Sequence, residues 1–254
     1  MAFSDEFRAC IQFWSRLPVR GAADPPEFRF AIRALPAAAL VIAAPAVLTL
    51  ALGRDFGFSP FLAALVALAV LTATTGALHE DGLSDCADSL GASTRERRLE
   101  IMKDSRVGAF GALALVFSVG IRAEALATIA ESSTTLACMG LFASAAIARV
   151  ACLAPLALLP PARDSGAGRT AGVPDERAFA TAIAGAILCA ILPLLAGASP
   201  GRAVLAAICA FGAALAVVPY AREKFGGQTG DVAGAAEQLA EIICLAVLST
   251  GLTP

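Results

Sequence analysis

Charge and aromatic surface are scarce in this chain. Of its 254 residues 16% are charged and 6% aromatic, with one His, one Trp and one Tyr, while 58% are hydrophobic. So few charges exclude an ordinary soluble domain. Nineteen basic and 21 acidic residues leave a net charge of -2, so nothing points to nucleic acid as a partner. The seven cysteines, Cys10, Cys86, Cys138, Cys152, Cys189, Cys209 and Cys244, include no CxxC pair and sit mostly in apolar runs, which reads as inert thiols. His79 has no second histidine to complete a zincin helix, and neither a P-loop nor a dinucleotide fingerprint occurs. The first long apolar run begins near residue 34 with no cleavage site placed for a signal peptide, so no removed leader is expected. Internal repeats are absent, which counts against a transporter built from related halves.

What the chain has instead is apolar length. A helix crosses the hydrocarbon with about 20 apolar residues, and runs of that order recur at 34–53, 60–79, 107–130, 134–159, 178–198, 202–220 and 235–252. The expectation is one all-α integral membrane domain over 1–254, a polytopic protein of about seven transmembrane helices. Ala and Gly in these runs suit helices that approach closely through small side chains. Lys and Arg are lopsided in alternate connections. Fifteen of the 19 fall on one side: five before residue 34, five from Arg95 to Arg106, then Arg163, Arg169 and Arg177, then Arg222 and Lys224. The positive-inside rule puts that side, with the N-terminus, in the cytoplasm.

The stretch 79–111, HEDGLSDCADSLGASTRERRLEIMKDSRVGAFG, reads as the longest connection. On a helix Asp81, Asp85 and Asp88 fall at about 0°, 40° and -20°, so three carboxylates share one face. Like charges so spaced repel. A bound cation relieves the repulsion, and hard oxygen donors favour Mg²⁺. A solvated acidic face is the alternative. His79 projects to about 160°, away from the aspartates, so His79→Ala is expected to cost less than Asn at any of the three, each of which should cost at least about a hundredfold in turnover. Arg95, Arg97, Arg98, Lys103 and Arg106 follow within reach, the cations that a phosphate-transfer site needs and that a positive-inside loop supplies anyway.

A second stretch, GGQTGDVAGAAEQLAE at 226–241, joins a Gly-rich turn to the last span. Asp231, Gln238 and Glu241 lie within about 80° on a helix, with Glu237 about 40° further. Carboxylates at membrane depth cost roughly 2.5–3.5 kcal/mol each, so they face the bundle interior. Arg149, in the fourth span, is the cation to meet them or a substrate phosphate.

These motifs, with FWSRLPV at 13–19, resemble the cobalamin synthase family, adenosylcobinamide-GDP ribazoletransferase, from residue 13 to about 245. The resemblance implies a multi-pass enzyme of the bacterial inner membrane that requires Mg²⁺. Its implied reaction has a ribose hydroxyl of α-ribazole, or of its 5′-phosphate, attack the phosphate joined to cobinamide in adenosylcobinamide-GDP, releasing GMP. By the same resemblance Asp81, Asp85 and Asp88 hold the metal; Lys103, Asp104 and Arg106 orient phosphate; and Gln228, Asp231 and Glu241 complete the substrate pocket. Apart from the resemblance, one of the three aspartates, with Asp88 preferred, is expected to take the hydroxyl proton, since a base must lie beside the metal-bound phosphate. Ser89 stands where the family commonly has Gly, and Gln238 where it commonly has Glu, with Glu237 one position earlier. A CDP-alcohol phosphotransferase is the nearest alternative enzyme, but its DGxxAR signature fails because Asp81 and Gly82 are followed by Leu83, Ser84, Asp85 and Cys86. A transporter would use Arg122, Glu124, Arg149 and Glu241. Membrane lipid is the expected surround, and a homo-oligomer stays open.

Overall fold

The computed structural model describes residues 2–21, 27–163, 166, 168 and 171–252. Arg169, one of the cations assigned to the basic side, lies outside them. Among the described residues the secondary structure is helical apart from one isolated bridge, Pro161 to Gln228. The longer helices are α1 (Phe3–Trp14), α2 (Leu35–Asp55), α3 (Pro60–Thr75), α4 (Leu78–Asp88), α5 (Arg95–Ile101), α6 (Ala109–Ser132), α7 (Thr134–Ala151), α8 (Glu176–Cys189), α9 (Pro200–Phe225) and α10 (Gly230–Ser249).

Six helical segments are long and apolar enough to cross a membrane, and a seventh span is reached if the bent pair of α3 with Leu78–Gly91 counts as one. The expected second run, 60–79, is where sequence and structure part. Helix α3 stops at Thr75, because Gly76 (φ 68°) and Ala77 (φ 60°) both take the left-handed conformation. The chain then turns by 92° into α4. Stretch 79–111 is therefore not simply a connection: its first half is a helix packed into the bundle against α10 and α6.

Helix starts are set by short polar caps. Ser59, Ser133, Asp175, Ser199 and Thr229 each accept a backbone N–H in the first turn of α3, α7, α8, α9 and α10. Helix α7 is the most enclosed span and α10 the next; α7 packs on α2 and α10, and α10 on α9 and α4. Large side chains such as Phe117, Leu188 and Ile208 stay exposed on the outer spans. A lipid surround absorbs such surface without the penalty water would impose.

Segments expected on one side of the membrane meet in space. Arg16 N donates to Thr74 O at 2.7 Å, Asp175 N to Arg29 O at 3.1 Å, and Ala162 N to Gln228 O at 2.8 Å. At the other end Arg202 Nη2 donates to Gly251 O at 3.4 Å.

The contact that places the site is between α4 and α10. A Cβ on Gly82 would lie 2.8 Å from Asp231 O and 3.1 Å from Gly234 Cα, so two backbones touch where neither residue has a side chain. Gly82→Ala is therefore expected to push the helices apart, lowering stability by about 1–3 kcal/mol and turnover at least about tenfold. Thermal melts and turnover check this against Gly120→Ala, where a Cβ meets nothing within 4 Å.

Candidate active site

Helix α4 runs unbroken through Gly82, so Asp81, Asp85 and Asp88 do share a face. Their surroundings differ. Asp81 is exposed while Asp85 and Asp88 are half-buried. Asp88 is already engaged: its Oδ2 accepts the Gly108 N–H at 2.7 Å and its Oδ1 the Gly111 N–H at 2.8 Å. It thereby fastens the loop before α6 and places a negative charge at that helix's N-terminus. Among the described residues no donor engages the carboxylate of Asp81 or of Asp85.

A fourth carboxylate arrives from α10. Asp231 sits in its first turn, where Thr229 Oγ1 donates to Asp231 Oδ2 at 3.2 Å. Asp81, Asp88, Asp231 and the Arg163 guanidinium are the charges that act on Asp85. Arg163 is held by the loop that follows α7. Gln228 N donates to Pro160 O and Ala162 N to Gln228 O, each at 2.8 Å, a two-bond ladder between that loop and the Gly-rich turn before α10. Arg163 Nη2 then lies 3.4 Å from Asp231 Oδ2.

The structure brings only part of the expected set here. Asp81, Asp85 and Asp231 converge, whereas Gln228 is buried in the loop junction, its Nε2 3.3 Å from Gly168 O. Lys103 and Arg106 are exposed. Arg106 is bound to Asp104, whose carboxyl is held down to about 2 by hydrogen bonds from the Arg106 side chain and backbone. Glu241 and Arg149 belong to a separate buried network. Arg122 Nη1 donates to Glu241 Oε1 at 2.9 Å and its Nη2 to Glu80 Oε1 at 3.3 Å. Gln238 accepts from Ser118 Oγ at 2.7 Å and donates to Glu237 at 3.1 Å, while Arg149 and His79 Nδ1 lie 3.7 and 3.5 Å from Glu237 Oε1. Glu237 and Gln238 thus both face inward, which settles how this chain uses its shifted carboxylate. Glu124 is exposed on the outer side of α6, so the four residues of the transporter alternative do not form one path.

A cavity of about 90 Å³ opens between these two groups, lined by Phe13, Trp14, His79, Asp81, Gly230 and Asp231 among others. The structure gives His79 a definite setting. It does project away from the aspartates, but into the protein, at 3% exposure and on the wall of the cavity that Asp81 also lines. Its Nε2 has no partner among the described residues. Trp14 and Arg163 are the other residues that reading the sequence left out of the site; the FWSRLPV motif was the signal for the first.

Among the described residues no three His, Cys, Asp or Glu side chains stand together as a finished metal site. The three-aspartate ligand set is therefore not formed by the protein alone, and Asp88 is turned to the backbone. The donors still suit a hard divalent cation: Asp81, Asp85 and Asp231 offer carboxylate oxygens in excess over one guanidinium. Mg²⁺ is commonly held by one or two carboxylates with substrate phosphates completing the shell.

The family model described as cobalamin-5-phosphate synthase matches residues 6–249. The chain belongs to the cobalamin-5-phosphate synthase family. Relatives in this family include proteins named adenosylcobinamide-GDP ribazoletransferase. One from Bradyrhizobium diazoefficiens is 43% identical over 246 residues, covering 95% of this chain and 92% of its own. Another from Allorhizobium ampelinum is 38% identical over 255 residues, covering 99% and 98%. A third from Azorhizobium caulinodans is 40% identical over 248 residues, covering 93% and 92%. No solved structure matches. The family match takes in both motif stretches and the N-terminal Trp14, so the cavity wall and the carboxylate cluster lie wholly within it.

Proposed function

We propose that the chain is an adenosylcobinamide-GDP ribazoletransferase: a ribose hydroxyl of α-ribazole, or of its 5′-phosphate, displaces GMP from adenosylcobinamide-GDP, giving adenosylcobalamin or its 5′-phosphate. We further propose that it works in the bacterial inner membrane with the site on the cytoplasmic face, using Mg²⁺. The observation that carries the reading is the gathering of Asp81, Asp85 and Asp231 beside Arg163 from three separate parts of a chain of this family.

The reaction forms one P–O bond to the ribose oxygen and breaks the bond between the two phosphates, so the hydroxyl must lose a proton as GMP departs. Asp85 is the acceptor best placed for it, half-buried and unengaged, since Asp88 is committed to two backbone N–H groups. Asp81 and Asp231 would hold Mg²⁺, whose charge offsets that on the phosphate oxygens when it is bound, leaving Asp85 free for the proton. Trp14 and Phe13 give the cavity an apolar wall, and its about 90 Å³ admits only a phosphate- or ribose-sized part of either substrate. Pockets that enclose whole ligands run to roughly 300–1,000 Å³, so the corrinoid lies outside it. The cytoplasmic assignment rests on the basic segments that meet at this end of the bundle.

One assay tests the three parts separately. Purified protein in sealed vesicles of each orientation receives adenosylcobinamide-GDP and α-ribazole or its 5′-phosphate, and GMP release is followed with and without excess EDTA. Release is expected where the basic end faces the added substrate, lost in EDTA and restored by Mg²⁺. No release in either orientation sinks the transfer reading; release that survives EDTA removes the metal; release only from the opposite orientation reverses the sidedness.

A further inference from the structure

The cations expected to orient phosphate, Lys103 and Arg106, lie out in solvent, and Arg106 spends its donors on Asp104 with 86% of its side chain exposed. One guanidinium does stand among the site carboxylates, and it is poorly used. The Arg163 side chain is 15% exposed. Its Nη2 donates to Leu99 O at 3.2 Å and stands 3.4 Å from Asp231 Oδ2, beyond the roughly 2.7–2.9 Å of a good charged pair. Its Nε–H is buried with no acceptor among the described residues. A guanidinium has five donors in a planar fork shaped for carboxylate or phosphate oxygens. Leaving a buried donor unmade is costly, so the fork has a donor left over that an anion with several oxygens would satisfy.

We propose that Arg163 is the phosphate-binding residue of the site, and that in the resting protein it stands in as the counter-ion of Asp231, its charge also reaching Asp85. The incoming diphosphate of the nucleotide substrate takes the fork, and the carboxylates it leaves are then free for a divalent cation. Its backbone is fixed for this by the ladder between Pro160–Ala162 and Gln228, and its guanidinium by Leu99 O at the end of α5. The inference rests on the transfer reading for the identity of the diphosphate, but its charge-competition half does not.

Two measurements test it. The first is Mn²⁺ binding to substrate-free protein, read by electron paramagnetic resonance. Arg163→Gln should bind Mn²⁺ several-fold more tightly than wild type because a competing charge is gone, while Arg8→Gln, a charge loss on α1, should not. The second is steady-state turnover. Arg163→Gln should raise KM for adenosylcobinamide-GDP at least about tenfold with a smaller fall in kcat, and Arg163→Lys, with charge but no fork, should recover only part. Unchanged Mn²⁺ affinity with unchanged KM in a variant that melts like wild type overturns the proposal, as does a loss in kcat alone. If Arg163→Gln fails to fold, Arg163→Lys decides by the same KM reading: a wild-type KM is the overturning result. Absence of turnover in wild type would sink the transfer reading, and the Mn²⁺ comparison would still stand or fall by itself.

Discussion

Asp81→Asn and Asp85→Asn are each expected to reduce turnover at least about a hundredfold, a barrier higher by roughly 2.7 kcal/mol, with little change in melting temperature. Both carboxylates lie on the face of α4 that meets Asp231, and no donor among the described residues uses either. Replacing them by the isosteric amide removes a charge without opening a hole. Asp88→Asn should behave differently. That side chain accepts from Gly108 N and Gly111 N, so an amide that offers one oxygen and presents an NH₂ to the other backbone donor loosens the loop before α6. A loss of about 1–2 kcal/mol in stability and a several-fold fall in turnover follow. The three variants side by side, assayed at saturating Mg²⁺ and melted in detergent, check the distinction. Near-full activity of Asp81→Asn and Asp85→Asn would mean that the acidic face is only solvated; equal hundredfold losses with equal stability for all three would restore the symmetrical arc read from spacing.

The other large effect is expected far from the chemistry. Arg122 is 1% exposed and holds Glu241 and Glu80, two carboxylates on different helices. Arg122→Gln leaves both buried without their cation, and removing one partner of such a pair costs about 3–5 kcal/mol. In a chain of this size that is a fall in melting temperature of about 10 °C. Adding Glu241→Gln should recover much of it, because the network then loses a negative charge together with the positive one. A double variant no more stable than Arg122→Gln alone would show that the pair does not act as a unit.

Much of this was legible beforehand. Apolar length located six of the seven spans, and the seventh only as a bent pair of helices, since burying a backbone in lipid leaves few options. The seven-residue spread of Asp81, Asp85 and Asp88 gave their shared face because Gly82, flanked by strong contacts with α10, did not break the helix. What spacing could not give was which neighbour each face meets. His79 projects opposite the aspartates, and only the packing of α4 on α10 shows that the opposite side is Glu237 and a cavity rather than lipid. Arg163 looked like one more basic loop residue, because its value comes from a two-bond ladder between its own loop and Gln228, 65 positions away by residue number. Arg106 looked better than it is, since a spacing of two lets Asp104 occupy it. The end of α3 was missed for a local reason: an apolar run continues through Ala77 and Leu78, and only backbone conformation marks the corner.

The buried network also fixes an order of events during synthesis. Glu80 and Arg122 enter the bilayer early, with α4 and α6, but two of their polar partners, Gln238 and Glu241, lie on α10, as does Glu237 beside Arg149, and α10 is synthesised after α1 to α9. Until then Arg149 has no carboxylate among the described residues, Glu80 and Arg122 have only each other and Thr72 or Ser118, and Asp231 is not yet beside Asp85. Nascent chains therefore pass through a stage in which charges inside the membrane wait for their closing segment. Completion of the carboxylate cluster and closure of the buried network become the same event, the docking of one glycine-faced helix.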